Sequence, residues 1–146
     1  MTTYSDEYLK GILTQTKVIA LVGASKNEER PSNRVGKYLK SQGYKVIPVN
    51  PGLAGQTLFG ETVYASLADI PAEMNVDMID VFRRAEQVCP VLMEGIAHLP
   101  TVKTIWMQLN VINHNAEAEA TKRGLNVVMD RCPKIEHSRL ITDAAA

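Results

Sequence analysis

Glycine, serine and arginine gather at several points of the chain in a pattern suited to holding phosphate. Gly23-Ala24-Ser25 ends an apolar run, and Lys26, Arg30, Pro31, Ser32, Asn33 and Arg34 follow at once. Gly23 permits a tight turn with close backbone approach and Ser25 supplies a hydroxyl. A helix opening at Pro31 or Ser32 would add free N–H groups and the positive end of its dipole. Phe82-Arg83-Arg84 ends a later apolar run, offering an aromatic face for a base and two cations for phosphates. Gln108 and Asn110 follow Trp106, with Trp106 and Leu109 expected in the core and the two amides expected at a cleft. Asp130-Arg131-Cys132-Pro133-Lys134 closes the last run.

Cys132 has Arg131, Lys134 and His137 near it in sequence, the kind of neighbourhood that can stabilise a thiolate. No third group is evident to orient His137 as a base, so Cys132 is read as a packing residue and no catalytic residue is assigned. Cys89 and Cys132 lie far apart without a CxxC, and His98, His114 and His137 complete no ligand set, so neither a metal site nor a disulfide framework is expected.

These residues must be positioned by alternating strands and helices. Strands are predicted at 17–23, 44–49, 63–64, 77–82, 103–107 and 126–129, and helices from about 31, over 86–98 and over 114–123. Gly43 and Gly124 are placed to end two of the helices, and Asn113 to cap one. Ser5 caps a further opening helix, with Tyr8, Leu9, Ile12 and Leu13 on one face, expected as a lid or an outer helix. Gly52, Gly55 and Gly60 mark 51–60 as an irregular loop and a candidate ligand flap, 66–70 as a single helical turn, and 141–146 as a frayed tail. The alternation implies an α/β fold of three layers, Rossmann-like, with a mainly parallel sheet of about five or six strands. Ligands of such sheets lie at the carboxyl ends of the strands where strand order reverses, which selects the residues above.

With 146 residues, 45% of them apolar, one domain spanning 1–146 with its core at about 13–140 is expected. Sixteen basic and sixteen acidic residues balance, so no overall field draws the chain to nucleic acid or a membrane; the apolar run Val18 to Ala24 is far too short to span a bilayer and no charged-then-apolar secretory pattern is seen, so a cytoplasmic protein is expected. The strict GxGxxG of dinucleotide sites is absent, because the next glycine after Gly23 is Gly36. The second strand ends in Asn50-Pro51 where an NAD site would place an acid. A neutral amide tolerates a phosphorylated ribose, which leaves NADP and coenzyme A (CoA) both open, with Arg30 or Arg34 to supply counter-charge.

The blocks 18–25, 30–33, 46–51, 63–71, 80–83, 106–109, 111–113 and 127–134 fall in order and resemble the small stand-alone CoA-binding proteins. That family is Rossmann-like and similar to the CoA-binding domain of the succinyl-CoA ligase alpha subunit. The resemblance implies that Gly23, Ala24 and Ser25 meet the pyrophosphate, that Asn50 and Pro51 lie by the adenosine, and that Val81, Phe82 and Arg83 line the site. Arg30, Ser32, Asn33, Gln108 and Lys134 complete the candidate set. Leu53 stands where the ligase-type domain carries a lysine, so the 3′-phosphate either depends on arginines instead or binds weakly. The ligase domain that bears a phosphorylated histidine has no counterpart here, and ligase activity is not implied. The first expectation is therefore a binder of CoA or an acyl-CoA, as carrier, sensor or accessory to acyl metabolism, with a possible protein partner there and no evident catalysis. An NADP-dependent reductase using the same cleft is the alternative, and an interaction module with a decayed nucleotide site is a third reading.

Overall fold

The computed structural model describes residues 3–143. Its strands in chain order are β1 (Val18–Val22), β2 (Lys45–Val49), β3 (Thr57–Leu58), β4 (Glu61–Thr62), β5 (Met78–Val81), β6 (Thr104–Met107) and β7 (Asn126–Val128). The helices are α1 (Asp6–Gln15), α2 (Pro31–Ser41), α3 (Val88–His98), α4 (His114–Lys122) and α5 (Pro133–His137). Five strands form one parallel sheet in the order β2-β1-β5-β6-β7, while β3 and β4 pair only with each other. The arrangement is Rossmann-like, as the alternation of strands and helices predicts.

Both faces of the sheet are covered, which is why its strands read as apolar runs rather than as alternating patterns. On one face Val88 and Leu92 of α3 and Ala116 and Ala120 of α4 pack on Ala20, Val22, Ile79, Val81 and Ile105. On the other, α1 and α2 bring Leu9, Leu13, Val35 and Leu39 onto Ile19, Leu21, Met78, Trp106 and Val128. The helix ends follow their sequence signals. Ser5 and Asn113 accept N–H bonds of 3.1 and 2.9 Å from Tyr8 and Ala116. Gly43 and Gly124, at φ +98° and +79°, close α2 and α4 with paired bonds back to Leu39 and Lys40 and to Ala120 and Thr121.

Helix α1 is a fixed outer layer and no lid. Leu9, Ile12 and Leu13 are almost wholly buried, and burying side chains of this size stabilises by roughly 1.5–3 kcal/mol each. Tyr8 of α1 also covers the exposed edge of β7: its hydroxyl both donates to the Val127 carbonyl and accepts from the Val127 N–H, at 3.0 and 2.9 Å. The Tyr4 hydroxyl accepts from the N–H of Met129 at 2.8 Å. An edge occupied in this way cannot recruit another strand.

Three segments differ from the sequence expectation. The glycine-rich stretch forms a 3-10 turn at Pro51–Leu53 and then the β3–β4 hairpin, whose two turn residues Phe59 and Gly60 have φ of +55° and +75°. Phe59 is buried against Gly36 of α2, where a Cβ would come within 2.2 Å of the ring, so the stretch is anchored and is no free flap. The strand expected at 63–64 lies instead at Glu61–Thr62, and Tyr64 forms only a bridge to Val49.

At the other end, α5 and a π-helical turn at Ser138–Thr142 occupy a stretch for which no helix was expected and run into the expected frayed tail of 141–146, of which Ala144 to Ala146 lie outside the described residues. Pro133 starts α5, and Leu140 and Ile141 pack into the α1/α2 layer. The Arg139 guanidinium bridges Glu136 and Asp6 at 2.7 and 2.9 Å, tying α5 to α1. The buried His137 ring sets Nδ1 3.0 Å from the Tyr38 hydroxyl of α2 and 3.3 Å from Thr142 Oγ1, and burial lowers its pKa from the ordinary 6.5. Among the described residues no helix is long and apolar enough to cross a membrane.

Candidate functional site

Strand order reverses between β1 and β5: the chain leaves β1 through α2 to reach β2 on one side, and later returns to β5 on the other. The carboxyl ends part there and leave a crevice. Gly23 turns away from β1 at φ +94°, and a Cβ on it would lie 2.3 Å from the Phe82 carbonyl oxygen. Only glycine fits this approach. The N–H groups of Gly23 and Ala24 both donate to the Val49 carbonyl, at 3.0 and 3.2 Å, so these amides fasten β1 to β2 and are already satisfied. The Asn50 amide does similar work, donating to the Ala24 carbonyl at 2.7 Å and accepting from the Gly52 N–H at 2.8 Å.

The groups left for a ligand belong to the start of α2 and the end of β5. Helix α2 has Arg30 at its N-cap with no side-chain capping bond, Pro31 in its first turn and no acidic residue there. A cation beside the positive end of a helix is unfavourable by about 0.3–1 kcal/mol, and an anion placed between them reverses the sign of both interactions. Arg83 comes to the same crevice from β5 and has no ion-pair partner among the described residues. Together these groups make a positive concavity of about 420 Å³, with Ser25 and Ser32 hydroxyls on its wall.

A second concavity of about 530 Å³ continues from the first, since Pro31, Phe82 and Arg83 line both. It crosses the carboxyl ends of β5 and β6 and is more apolar. Gln108 and Cys132 form its inner wall and Leu109, Asn110 and Arg84 its rim. The Trp106 indole, wholly buried, donates to the Arg131 carbonyl at 2.9 Å and so holds the loop that carries Cys132.

The CoA binding domain family, compared as a sequence model, matches residues 17–138 of the chain. The chain belongs to the CoA-binding domain family. It is 34% identical over 130 residues to the uncharacterized protein YneT of Bacillus subtilis (strain 168), covering 89% of this chain and 92% of that one. A solved structure from Thermus thermophilus, cell-free ID.343, superposes with a TM-score of 0.87 at 39% identity over 94% of this chain and all of that one. The dinucleotide-forming acetyl-coenzyme A synthetase 1 of Ca. Korarchaeum cryptofilum, solved with phosphate and ADP, is similar at a TM-score of 0.62 and 26% identity, over 76% of this chain and 25% of its own.

Within this CoA-binding domain, the structure brings Gly23, Ala24, Ser25 and Arg30 to the first concavity together with Ser32, Asn50, Phe82 and Arg83. Gln108 lines the second. Four other candidates lie elsewhere. Asn33 is buried and donates to the Ser25 carbonyl at 2.9 Å, shaping the loop from behind. Pro51 is exposed at the start of its 3-10 turn, and Val81 is fully buried in the α3/α4 layer. Lys134 sits on α5 with its ammonium 5.8 Å from the Tyr38 ring centre. Arg34 donates to the Glu29 carbonyl at 2.8 Å, which leaves Arg30 as the arginine of this helix that lines the crevice. Leu109, expected in the core, is half exposed at the rim because Asn110 at φ +68° turns the chain just past β6, while Gln108 lines the concavity from a buried position.

Asp80 interrupts the apolar run of β5. It lies on β5 between Leu21 and Trp106, wholly buried, and neither carboxylate oxygen has a hydrogen-bond partner among the described residues. Burial pushes its carboxyl well above the ordinary carboxylate range, so the folded domain favours the neutral acid.

Proposed function

We propose that the domain binds CoA or an acyl-CoA along the two joined concavities, as a carrier, sensor or accessory of acyl metabolism in the cytoplasm. In this reading the phosphates lie at the opening of α2, between Arg30 and Arg83, with the Ser25 and Ser32 hydroxyls as further donors. The adenosine lies toward Asn50, and the pantetheine arm passes over Phe82 toward Gln108. Leu53 leaves the 3′-phosphate to the arginines.

One observation carries the proposal: an arginine caps α2 where an acid or a hydroxyl would be expected, and a second unpaired arginine converges on it from β5. Two cations at a helix N-terminus are a favourable arrangement once a polyanion occupies the space. Family membership favours CoA among the polyanions that such a site could take. Arginine also suits phosphate because its planar donors engage two oxygens at once.

The test is calorimetric titration of the nucleotide-stripped protein with CoA, NADP and NAD under the same conditions. Micromolar or tighter binding of CoA, with no heat from the other two, is expected. Heat from NADP and none from CoA would replace this reading with that of a reductase, and silence with all three would leave an interaction module.

A further inference from the structure

The wall of the second concavity carries a side-chain amide, Gln108, and a thiol, Cys132. Gln108 is 6% exposed, lines the cavity, and its Oε1 has no hydrogen-bond partner among the described residues. A buried amide oxygen left unpaired destabilises the free site, and a ligand that supplies a donor relieves it. Cys132 lines the same cavity as a free thiol, and its side chain makes no capping bond to the helix that it precedes. The Gln108 side-chain amide and a thiol therefore share one wall, in a groove of about 530 Å³.

We infer that Cys132 exchanges with the disulfide form of CoA, leaving one CoA joined to the protein through a Cys132–CoA mixed disulfide. The inference rests on the CoA-binding reading above and names what that site does with the thiol end of its ligand. With phosphates at α2 and adenosine toward Asn50, the remaining arm has one direction open to it, across Phe82 into the second concavity. The arm carries amide N–H groups, one of which meets Gln108 Oε1, and ends in sulfur near Cys132. In the exchange the Cys132 thiolate attacks one sulfur of the CoA disulfide, a Cys132–sulfur bond forms as the CoA–CoA bond breaks, and the departing CoA thiolate takes up the proton that Cys132 gave up. Cys132 is oxidised and one CoA is reduced, with no further oxidant needed. Cys89 serves as an internal control, since it lies apart from this cavity, 3.7 Å from Asn113 Oδ1.

The experiment incubates the full chain with CoA disulfide, and separately with glutathione disulfide, and follows intact mass and peptide mapping over time. An adduct of one CoA on Cys132 is expected, absent in Cys132→Ser and released by dithiothreitol. Binding holds the reagent beside the thiol at an effective concentration that is millimolar in order, so CoA disulfide should react more than about tenfold faster than glutathione disulfide. Gln108→Leu should slow the CoA reaction and leave the glutathione reaction unchanged. Reaction at Cys89 instead, equal rates with the two disulfides, or no adduct overturns the inference. Titration of Cys132→Ser with reduced CoA separates the two levels: binding without exchange in the parent refutes the thiol chemistry alone, whereas no binding in either protein refutes the CoA reading itself.

Discussion

Gly23 and Phe82 approach so closely that the absent Cβ of Gly23 would stand 2.3 Å from the Phe82 carbonyl oxygen. The contact joins the end of β1 to the end of β5 at the point where the sheet reverses its order, and it fixes the distance between the α2 opening and Arg83. Gly23→Ala places a Cβ in that contact at a φ of +94°, and such backbone strain alone costs on the order of 1–3 kcal/mol. The variant should melt earlier than the parent and bind CoA more weakly, as read by calorimetry of both. Unchanged affinity in a folded variant would show that the β1–β5 spacing does not set the site.

Arg83→Ala is expected to weaken CoA by about 1.5–3 kcal/mol, the range for a hydrogen bond to a charged group, and to weaken dephospho-CoA by a similar amount if the contact is to pyrophosphate. Arg30→Ala should weaken it as well, although removing the cation also relieves its clash with the α2 dipole and so stabilises the free protein slightly. The affinity of the parent should fall as salt is raised, and that of the double variant should fall less. Titrations at two ionic strengths measure each of these.

Asp80 gives a pH signature of opposite sign to most carboxylates. Its folded pKa is raised above the ordinary 3.8, so the unfolded chain loses this proton first, and Asp80 costs the fold increasing stability as pH rises above that value. Asp80→Asn cannot ionise. The melting temperature of the variant relative to the parent should therefore climb from acid pH toward neutrality, as followed by thermal denaturation across that range. A difference that stays flat or falls with pH would contradict the raised carboxyl pKa of Asp80.

His137 acts through the clasp that α5 makes on α2. Burial lowers its pKa in the folded state below the ordinary 6.5, so the unfolded chain binds the proton more readily. The His137 contribution is complete above about pH 6.5 and declines as pH falls from there toward the folded pKa. His137→Gln should flatten stability across that window, measured by urea denaturation at several pH values. A parent whose stability does not decline there would contradict the buried neutral ring.

The alternation of strands and helices, the helix caps and the glycine stops were legible because each is a local signal: Asn113 and Gly124 act on their own turns of chain. The β3–β4 hairpin was not, because Phe59 adopts a positive φ that its residue type disfavours and is held there by a distant glycine, Gly36. The α5 segment escaped for a related reason, since its few residues gain stability from Tyr38 and Asp6 on other elements rather than from their own pattern. At the site, the arginines and serines could be chosen from sequence by where strands end. Which amides were already spent could not: Asn50 and the N–H groups of Gly23 and Ala24 serve neighbouring strands, a fact visible only once β1 and β2 are side by side.

The most direct measurement is a crystal structure of the protein with CoA. The pyrophosphate is expected at the opening of α2, within hydrogen-bond distance of Arg30 or Arg83, and the pantetheine arm over Phe82 with an amide group on Gln108. CoA bound away from the β1–β5 crevice, or lying there with its phosphates in solvent, would contradict this placement.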